Sequence, residues 1–398
     1  MTSARKNMSG EGPLIFMVAG ENSGDALGAD LMKALDKKLD GRVRFSGVGG
    51  PLMVEAGFYS QFPMEDLAVM GVFEVLPRLR LLLRRMQETA LAIERLNPDV
   101  VVTIDAPDFC FRVIKKLRAR GNAVPVVHYV APTVWAWRPG RAKKVARFLD
   151  HLLCLLPFEP PYFQREGLDA TFVGHPVVTS NVHLGQGAGF RELHGIAPDT
   201  PLLTVLPGSR MGEVSRLLSI FGETVEKLAA KHAGLTVLIP AVPHLAGHIR
   251  QAVAAWTVPV LVTSPQEKAA VFAASGAALA ASGTVTLELA MAGLPQVVAY
   301  RVSPLTAMIG KMLIKTPYAN LVNICLGREA VPEFIQENCT PDNLAAEVSR
   351  LMTDQSARAA QRTAASEALT QLGLGGPPPG ERAADVVLSI LRHQHKER

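Results

Sequence analysis

Apolar residues along the chain fall into short unbroken runs separated by stretches with helical spacing. Runs such as "VVVTI" and "VPVVHYV" do not alternate with polar residues and are rich in β-branched side chains. That is the pattern of strands covered on both faces, and hence of parallel sheet. The runs predict strands at Leu14–Ala19, Val43–Val48, Val100–Ile104, Val124–Val130 and His151–Leu156. In the second half they predict strands at Leu202–Leu206, Leu235–Ile239, Val258–Val262, Ala277–Ala280 and Gln296–Ala299. Between the runs, stripes such as Leu27, Leu31 and Leu35, one helical turn apart, predict helices with a core-facing side. The pattern restarts near Pro201 after the polar, glycine-rich segment Asn181–Pro201, which predicts a domain boundary. Two doubly wound α/β domains follow, the first over 12–180 and the second over 200–355.

Composition adds limits. A chain of 398 residues that is 48% hydrophobic, with 33 Gly and 28 Pro, can bury large cores and is rich in turns. A net charge of +5 is too mild to demand nucleic acid and suits anionic partners generally. Cys110, Cys154, Cys325 and Cys339 contain no C-x-x-C pair, so neither a disulfide framework nor a zinc site is expected, and a reducing cytoplasm is. The apolar run behind the basic N-terminus is too short for a signal peptide and reads as the first strand. Residues 269–300 hold the single charge Glu288, but Gly276, Gly283, Gly293 and Pro295 divide them into pieces sized for a buried core.

Ligands of open α/β sheets bind at the carboxyl ends of the strands, so the turns there carry the candidate chemistry. In "AGENSGDALGAD" the glycines at 20, 24 and 28 do not form the dinucleotide fingerprint G-x-G-x-x-G. Glu21 and Asp25 would repel a phosphate there. Ser23 or Asp25 either caps the following helix or meets sugar hydroxyls. In "TIDAPDF", Asp105 and Asp108 follow a buried strand, where a carboxylate either takes a proton or braces its loop. In "YVAPTVWAWRPGRAKKVARF", Trp135 and Trp137 precede Arg138, Arg141, Lys143, Lys144 and Arg147. That arrangement fits stacking on a sugar beside a phosphate, or a solvated basic helix. In "LPGSRMGEV", Gly208, Ser209 and Arg210 open a helix whose backbone N–H groups can cradle a diphosphate. In "ASGTVTLELA", Ser282, Gly283 and Thr284 open another, with Glu288 one turn in, placed to receive ribose hydroxyls. No D-x-D, H-E-x-x-H or Walker motif occurs.

Taken in order, "VAGENSGDALGADL", "PDVVVTIDAPDFCFRV", "HYVAPTVWAWRPGR", "LPFEPPYF", "FVGHP", "LPGSRMGEV", "ASGTVTLELA" and "NLVNICLGREAVPEFIQ" closely resemble the lipid-A-disaccharide synthase family over most of the chain. The resemblance implies a GT-B fold: two Rossmann-like parallel-sheet domains with the active site in the cleft between them. Closing helices over 360–398 would return to the first domain or exchange between two protomers of a homodimer. It implies transfer of a diacylglucosamine from UDP to the 6-hydroxyl of diacylglucosamine 1-phosphate, without metal or other cofactor. It assigns Asp105 as general base, with Asp25 as a second catalytic carboxylate. UDP-sugar would be held by Gly208, Ser209, Arg210, Ser282, Gly283, Thr284, Glu288 and Asn323, and the acceptor by Gly20, Ser23, Gly24, Trp135 and Arg138. The alternatives are another GT-B UDP-sugar transferase, a UDP-N-acetylglucosamine 2-epimerase-like enzyme, or a non-catalytic UDP-sugar-binding or membrane-docking protein. A nicotinamide dehydrogenase lacks its glycine fingerprint.

The stretch "GVFEVLPRLRLLLRRMQ" predicts a helix starting at Pro77, with Leu79, Leu82, Leu83 and Met86 on one stripe flanked by Arg78, Arg80, Arg84 and Arg85. Such a stripe either packs into the core or lies on a membrane surface. Because both expected substrates carry acyl chains, Phe73, Leu76, Leu79 and Leu82 are read as contacts to anionic lipid. The enzyme would then be peripheral on the cytoplasmic face of the inner membrane.

Overall fold

The computed structural model describes residues 12–67, 72–303 and 316–397, without the side chains of 72–77 and 394–397. The chain divides into two compact units, residues 1–176 with 375–398, and residues 177–374.

The first unit is built on a parallel sheet in the order β2-β1-β3-β4-β5-β6. Its strands are β1 (Leu14–Ala19), β2 (Arg44–Val48), β3 (Val100–Ile104), β4 (Val126–Tyr129), β5 (His151–Cys154) and β6 (Asp169–Phe172). β1 pairs with β3 from Ile15↔Val100 to Ala19↔Ile104, and β3 with β4 from Val101↔Val126 to Ile104↔Tyr129. The ends of these three strands therefore lie level, and their turns lie side by side. Continuous apolar runs suffice for the central strands because helices cover both faces. Phe16, Val101 and Val126 face one core layer, whereas Ile15, Met17, Val102 and Tyr129 face the other.

The second unit repeats the plan in the order β12-β11-β10-β7-β8-β9, all parallel. Its strands are β7 (Leu202–Leu206), β8 (Thr236–Pro240), β9 (Val260–Thr263), β10 (Ala277–Ala281), β11 (Gln296–Tyr300) and β12 (Glu333–Ile335). β10 lies between β7 and β11, which sets the turn after β7 beside the turn after β10.

The hydrophobic pattern misses β6 and β12. Both lie at sheet edges, are three or four residues long and bury little continuous apolar surface. It also extends β4 too far back: Pro125 has no N–H to give, and Arg118 Nη1 donates to the Val124 carbonyl instead.

The glycine-rich segment before Pro201 is part of the second unit rather than a loose linker. A Cβ at Gly185 would lie 1.9 Å from the Ala269 carbonyl oxygen, and one at Gly187 2.5 Å from that of Ala273. These glycines permit close backbone contact with the helix Lys268–Ala274, while Val182 and Phe190 enter the core.

The closing helices separate. Gln355–Gln371 packs on helices of the second unit, its Gln361 amide exchanging hydrogen bonds with the Gln296 backbone. Pro379–Glu397 packs on the first helix, Asn22–Lys38, burying Val387 and Leu391 and pairing Lys37 with Glu381 and Lys38 with Asp385.

The predicted leucine stripe splits. The helix runs from Val72 to Leu96, so it begins before Pro77. Leu82 and Met86 are buried in the core, which removes Leu82 from the lipid contacts, whereas Leu79 and Leu83 are exposed at 41% and 46%. The side chains of Phe73 and Leu76 lie outside the described residues. Arg85 is engaged inward, pairing with Asp66 and Glu88 and lying over the Phe62 ring, while Arg78 and Arg80 are exposed. Among the described residues no helix is long and apolar enough to cross a membrane.

Candidate active site

In the first unit the turn after β1 and the end of β4 both meet the turn after β3 at Asp105. Ser23 Oγ donates to Asp105 Oδ2 across 3.1 Å, and the Ala106 amide donates to Oδ1 across 2.9 Å. The Asp105 amide donates to the Tyr129 carbonyl, tying the turn to β4. Asp105 and Ala106 both have positive φ, 53° and 41°. Consecutive left-handed non-glycine residues cost about 1–3 kcal/mol each and persist only where the surroundings hold them. The result is a half-buried carboxylate, oriented by two donors, with acceptor capacity to spare. Asp108 lies one turn on and is exposed.

The first glycines have a packing role. A Cβ at Gly20 would lie 2.5 Å from Ala106 Cβ, and one at Gly24 3.1 Å from the Ile104 carbonyl oxygen. Both are buried against the Asp105 turn, so they bring Ser23 to Asp105 rather than offering a surface to an acceptor.

Asp25 is corrected. It is only 2% exposed, and its carboxylate accepts from the amides of Gly50, Leu52 and Met53. It therefore caps the short helix Pro51–Glu55, not its own, and is no second catalytic carboxylate.

The turn after β4 is held from below. Trp135 Nε1 donates to Glu159 Oε1 at 3.1 Å, and the ring meets Phe158 edge-on. The Arg138 guanidinium lies 4.2 Å from the Trp137 ring centroid and is exposed. Glu159, which the motif reading passed over, is 3% exposed and also accepts from the Leu155 and Leu156 amides. Burial pushes its carboxyl up to about 7, against the lowering effect of those three donors. A lone acid inside the apolar "LLPFEPPYF" was the available signal.

In the second unit, the turn after β7 leads into the helix Met211–Ala229. Gly208 has φ +120°, and a side chain there would strike Glu213. Ser209 N donates to Glu213 Oε2 at 3.1 Å, Arg210 N does so at 3.4 Å, and Arg210 Nη1 reaches Oε1 at 3.4 Å. The helix-start donors expected to meet diphosphate thus already hold an internal carboxylate. The Arg210 side chain remains 64% exposed.

After β10, Ser282 Oγ donates to the Ala319 carbonyl, and Gly283 and Thr284 are exposed. Glu288 is paired with Lys268, whose Nζ lies 2.8 Å from both carboxylate oxygens. Asn323 is corrected as a direct ligand contact. It is fully buried, its amide donates to Val331 O and Glu333 Oε1, and its oxygen accepts from the Ala330 and Val331 amides. All four of its hydrogen-bonding positions are used. Glu333 also accepts from the Ala319 and Asn320 amides, so Asn323 braces the loop that Ser282 touches.

The chain resembles known proteins in both sequence and shape. Residues 15–374 match the family model for lipid-A-disaccharide synthetase. The lipid-A-disaccharide synthase of Rhodospirillum centenum is 55% identical over 95% of this chain and 94% of its own length. That of Paramagnetospirillum magneticum is 50% identical over 97% of this chain and 99% of its own. Among solved structures, a putative UDP-N-acetylglucosamine 2-epimerase from Listeria monocytogenes aligns with TM-score 0.61 at 13% identity, covering 97% of this chain and 98% of that one. The glycosyltransferase of kitacinnamycin aligns with TM-score 0.59 at 17% identity, covering 96% of this chain and all of that one. At such identities these structures speak for the fold alone. Two parallel sheets of the GT-B type, together with a sequence match along nearly the whole chain, make this protein a member of the lipid-A-disaccharide synthase family of glycosyltransferases.

Proposed function

We propose that this enzyme transfers 2,3-diacylglucosamine from UDP-2,3-diacylglucosamine to the 6-hydroxyl of 2,3-diacylglucosamine 1-phosphate. The observation that carries this reading is the family match along nearly the full length of relatives that bear that activity in their name. Asp105 accepts the 6-hydroxyl proton as O6 attacks C1 of the donor sugar. The C1–O bond to UDP breaks, UDP leaves with the electron pair, and C1 inverts to the β-1,6 linkage. Arg210 stabilises the charge growing on the diphosphate, and Glu288 receives the ribose hydroxyls. Ser23 keeps the Asp105 carboxylate aimed, and the Trp135–Arg138 turn flanks the acceptor.

The enzyme acts as a peripheral protein on anionic membrane, where its acylated substrates reside. Exposed Leu79 and Leu83, with Arg78, Arg80 and Arg84 beside them, support this placement. The decisive experiment mixes the protein with UDP-2,3-diacylglucosamine and 2,3-diacylglucosamine 1-phosphate and identifies the products by mass spectrometry. The expected result is UDP and one tetraacyl disaccharide phosphate. Free sugar, an epimerised donor or no turnover overturns the assignment.

A further inference from the structure

The turn that follows β4, residues 131–138, is fixed along its whole length. Just before it Val130 has φ +83°, a conformation that β-branched residues rarely adopt, and its amide donates to the Leu153 carbonyl. In the middle Ala131 and Val134 enter the core, and Trp135 Nε1 reaches the buried Glu159. At the end Arg138 also has positive φ, 54°, and its carbonyl accepts from the Arg141 amide. Such backbone persists only where its surroundings hold it. Ile104 and Tyr129 are paired at the ends of β3 and β4, so this turn sets out beside the Asp105 turn.

The turn presents one cation outward. The exposed Arg138 guanidinium lies over the Trp137 ring, whose Nε1 donates to Thr133 Oγ1 at 3.2 Å. An arginine laid on an aromatic face keeps N–H donors along its edge. Among the described residues no carboxylate pairs with Arg138, whereas Arg85 and Arg118 are spent on Asp66, Glu88 and Asp150. An unpaired, stacked guanidinium suits the two-pronged recognition of a phosphate. The acceptor of the proposed reaction carries one, with a charge of about −1.5 to −2 at pH 7.

We propose that Arg138 recognises the phosphate of the acceptor, and that Glu159, acting through Trp135, is the positioning residue that holds the turn and its guanidinium in place. This rests on the reading that the Trp135–Arg138 turn flanks the acceptor. Three donors converge on the two Glu159 oxygens: the Trp135 indole and the Leu155 and Leu156 amides. A glutamine has one acceptor oxygen, so it must release either the indole or the two amides.

The test measures kcat/KM in neutral-detergent micelles for 2,3-diacylglucosamine 1-phosphate and for the same sugar without its phosphate. Wild type, Arg138→Ala, Arg138→Lys, Glu159→Gln and Arg147→Ala are compared, with melting temperatures recorded. The wild type should prefer the phosphorylated acceptor by at least about tenfold, the scale of hydrogen bonds between charged groups. Arg138→Ala should lose most of that preference while keeping the wild-type rate on the sugar without phosphate. Arg138→Lys, which keeps the charge but not the fork, should fall between. Glu159→Gln should lower the preference by at least about threefold with the donor KM unchanged, which a merely stabilising role would not do. Arg147, an exposed arginine ahead of β5, serves as the control for general charge, and Arg147→Ala should keep the wild-type preference. A wild type without preference, a wild-type preference in Arg138→Ala, or an equal fall in Arg147→Ala overturns recognition by Arg138. A fall in Arg138→Ala with none in Glu159→Gln overturns the positioning role. A wild type that forms no disaccharide from either acceptor refutes the transfer reaction on which both rest. Should Glu159→Gln fail to fold, Trp135→Phe, which removes the indole N–H, is read by the same criteria.

Discussion

The Ser23 hydroxyl donates to Asp105 Oδ2 across 3.1 Å, joining the turn after β1 to the turn after β3. The two residues are 82 positions apart, and they meet because β1 and β3 are neighbours whose ends lie level. Gly20 and Gly24 allow the approach, since a side chain at either would push the first helix off the Asp105 turn.

This pair defines the first prediction. Asp105→Asn should leave UDP affinity and folding intact and lower turnover by roughly a hundredfold or more, the usual scale of a lost general base. Ser23→Ala removes an orienting donor only, so its loss should be smaller, under about tenfold. Steady-state rates with both substrates decide. A dead Asp108→Asn beside a near-native Asp105→Asn would move the base to Asp108.

Arg210 and Glu213 should act in opposite directions on UDP. Arg210→Ala should remove the proposed charged hydrogen bond to diphosphate, worth about 1.5–3 kcal/mol, and lower affinity at least about tenfold. Glu213 now occupies the Ser209 and Arg210 amides with its own negative charge. Glu213→Gln should therefore bind UDP more tightly than the wild type. Calorimetry on both variants checks this, and weaker binding by Glu213→Gln would show that the carboxylate supports the turn instead.

Glu159 predicts a pH dependence of stability. Its carboxyl is raised by burial from the ordinary 4.5 to about 7, so the folded state holds a proton that the unfolded state releases. That contribution is fully present below about pH 4.5 and is lost as pH rises through about 7. His175 works from the other side. Burial lowers it from 6.5 to about 4, so its contribution is present above pH 6.5 and is lost as pH falls through about 4. Chemical denaturation of wild type and Glu159→Gln across this range should show the variant gaining relative stability between about pH 4.5 and 7. A difference that stays flat with pH would mean Glu159 is ionised in both states.

Leu79, Leu83 and Leu82 separate membrane contact from core. Leu79→Ser with Leu83→Ser should keep the melting temperature and reduce flotation with anionic liposomes. Leu82→Ser should instead destabilise by at least about 2 kcal/mol, because it empties and polarises a packed site. If the exposed pair can be changed without loss of flotation, this helix is not the docking surface.

The hydrophobic pattern was enough to locate ten of the strands, the two-sheet plan and the turns at the strand ends. These features are local: a strand buried on both faces must be written as a continuous apolar run, and a turn at its end needs small or capping residues. The edge strands β6 and β12 escaped because an edge buries too little to leave that signature. What each polar side chain does was decided only by tertiary structure. Asp25 and Asp105 both read as turn carboxylates, yet one is consumed by three amides from Gly50, Leu52 and Met53 while the other stays available. Asn323 is saturated by Val331, Glu333 and Ala330, and Glu288 is paired with Lys268, 20 residues away. Leu79 and Leu82 share a stripe by spacing and differ in burial because the core covers only part of the helix. A hydrogen bond or a buried contact needs a partner in space, and helical or strand periodicity along one segment cannot name a partner on another.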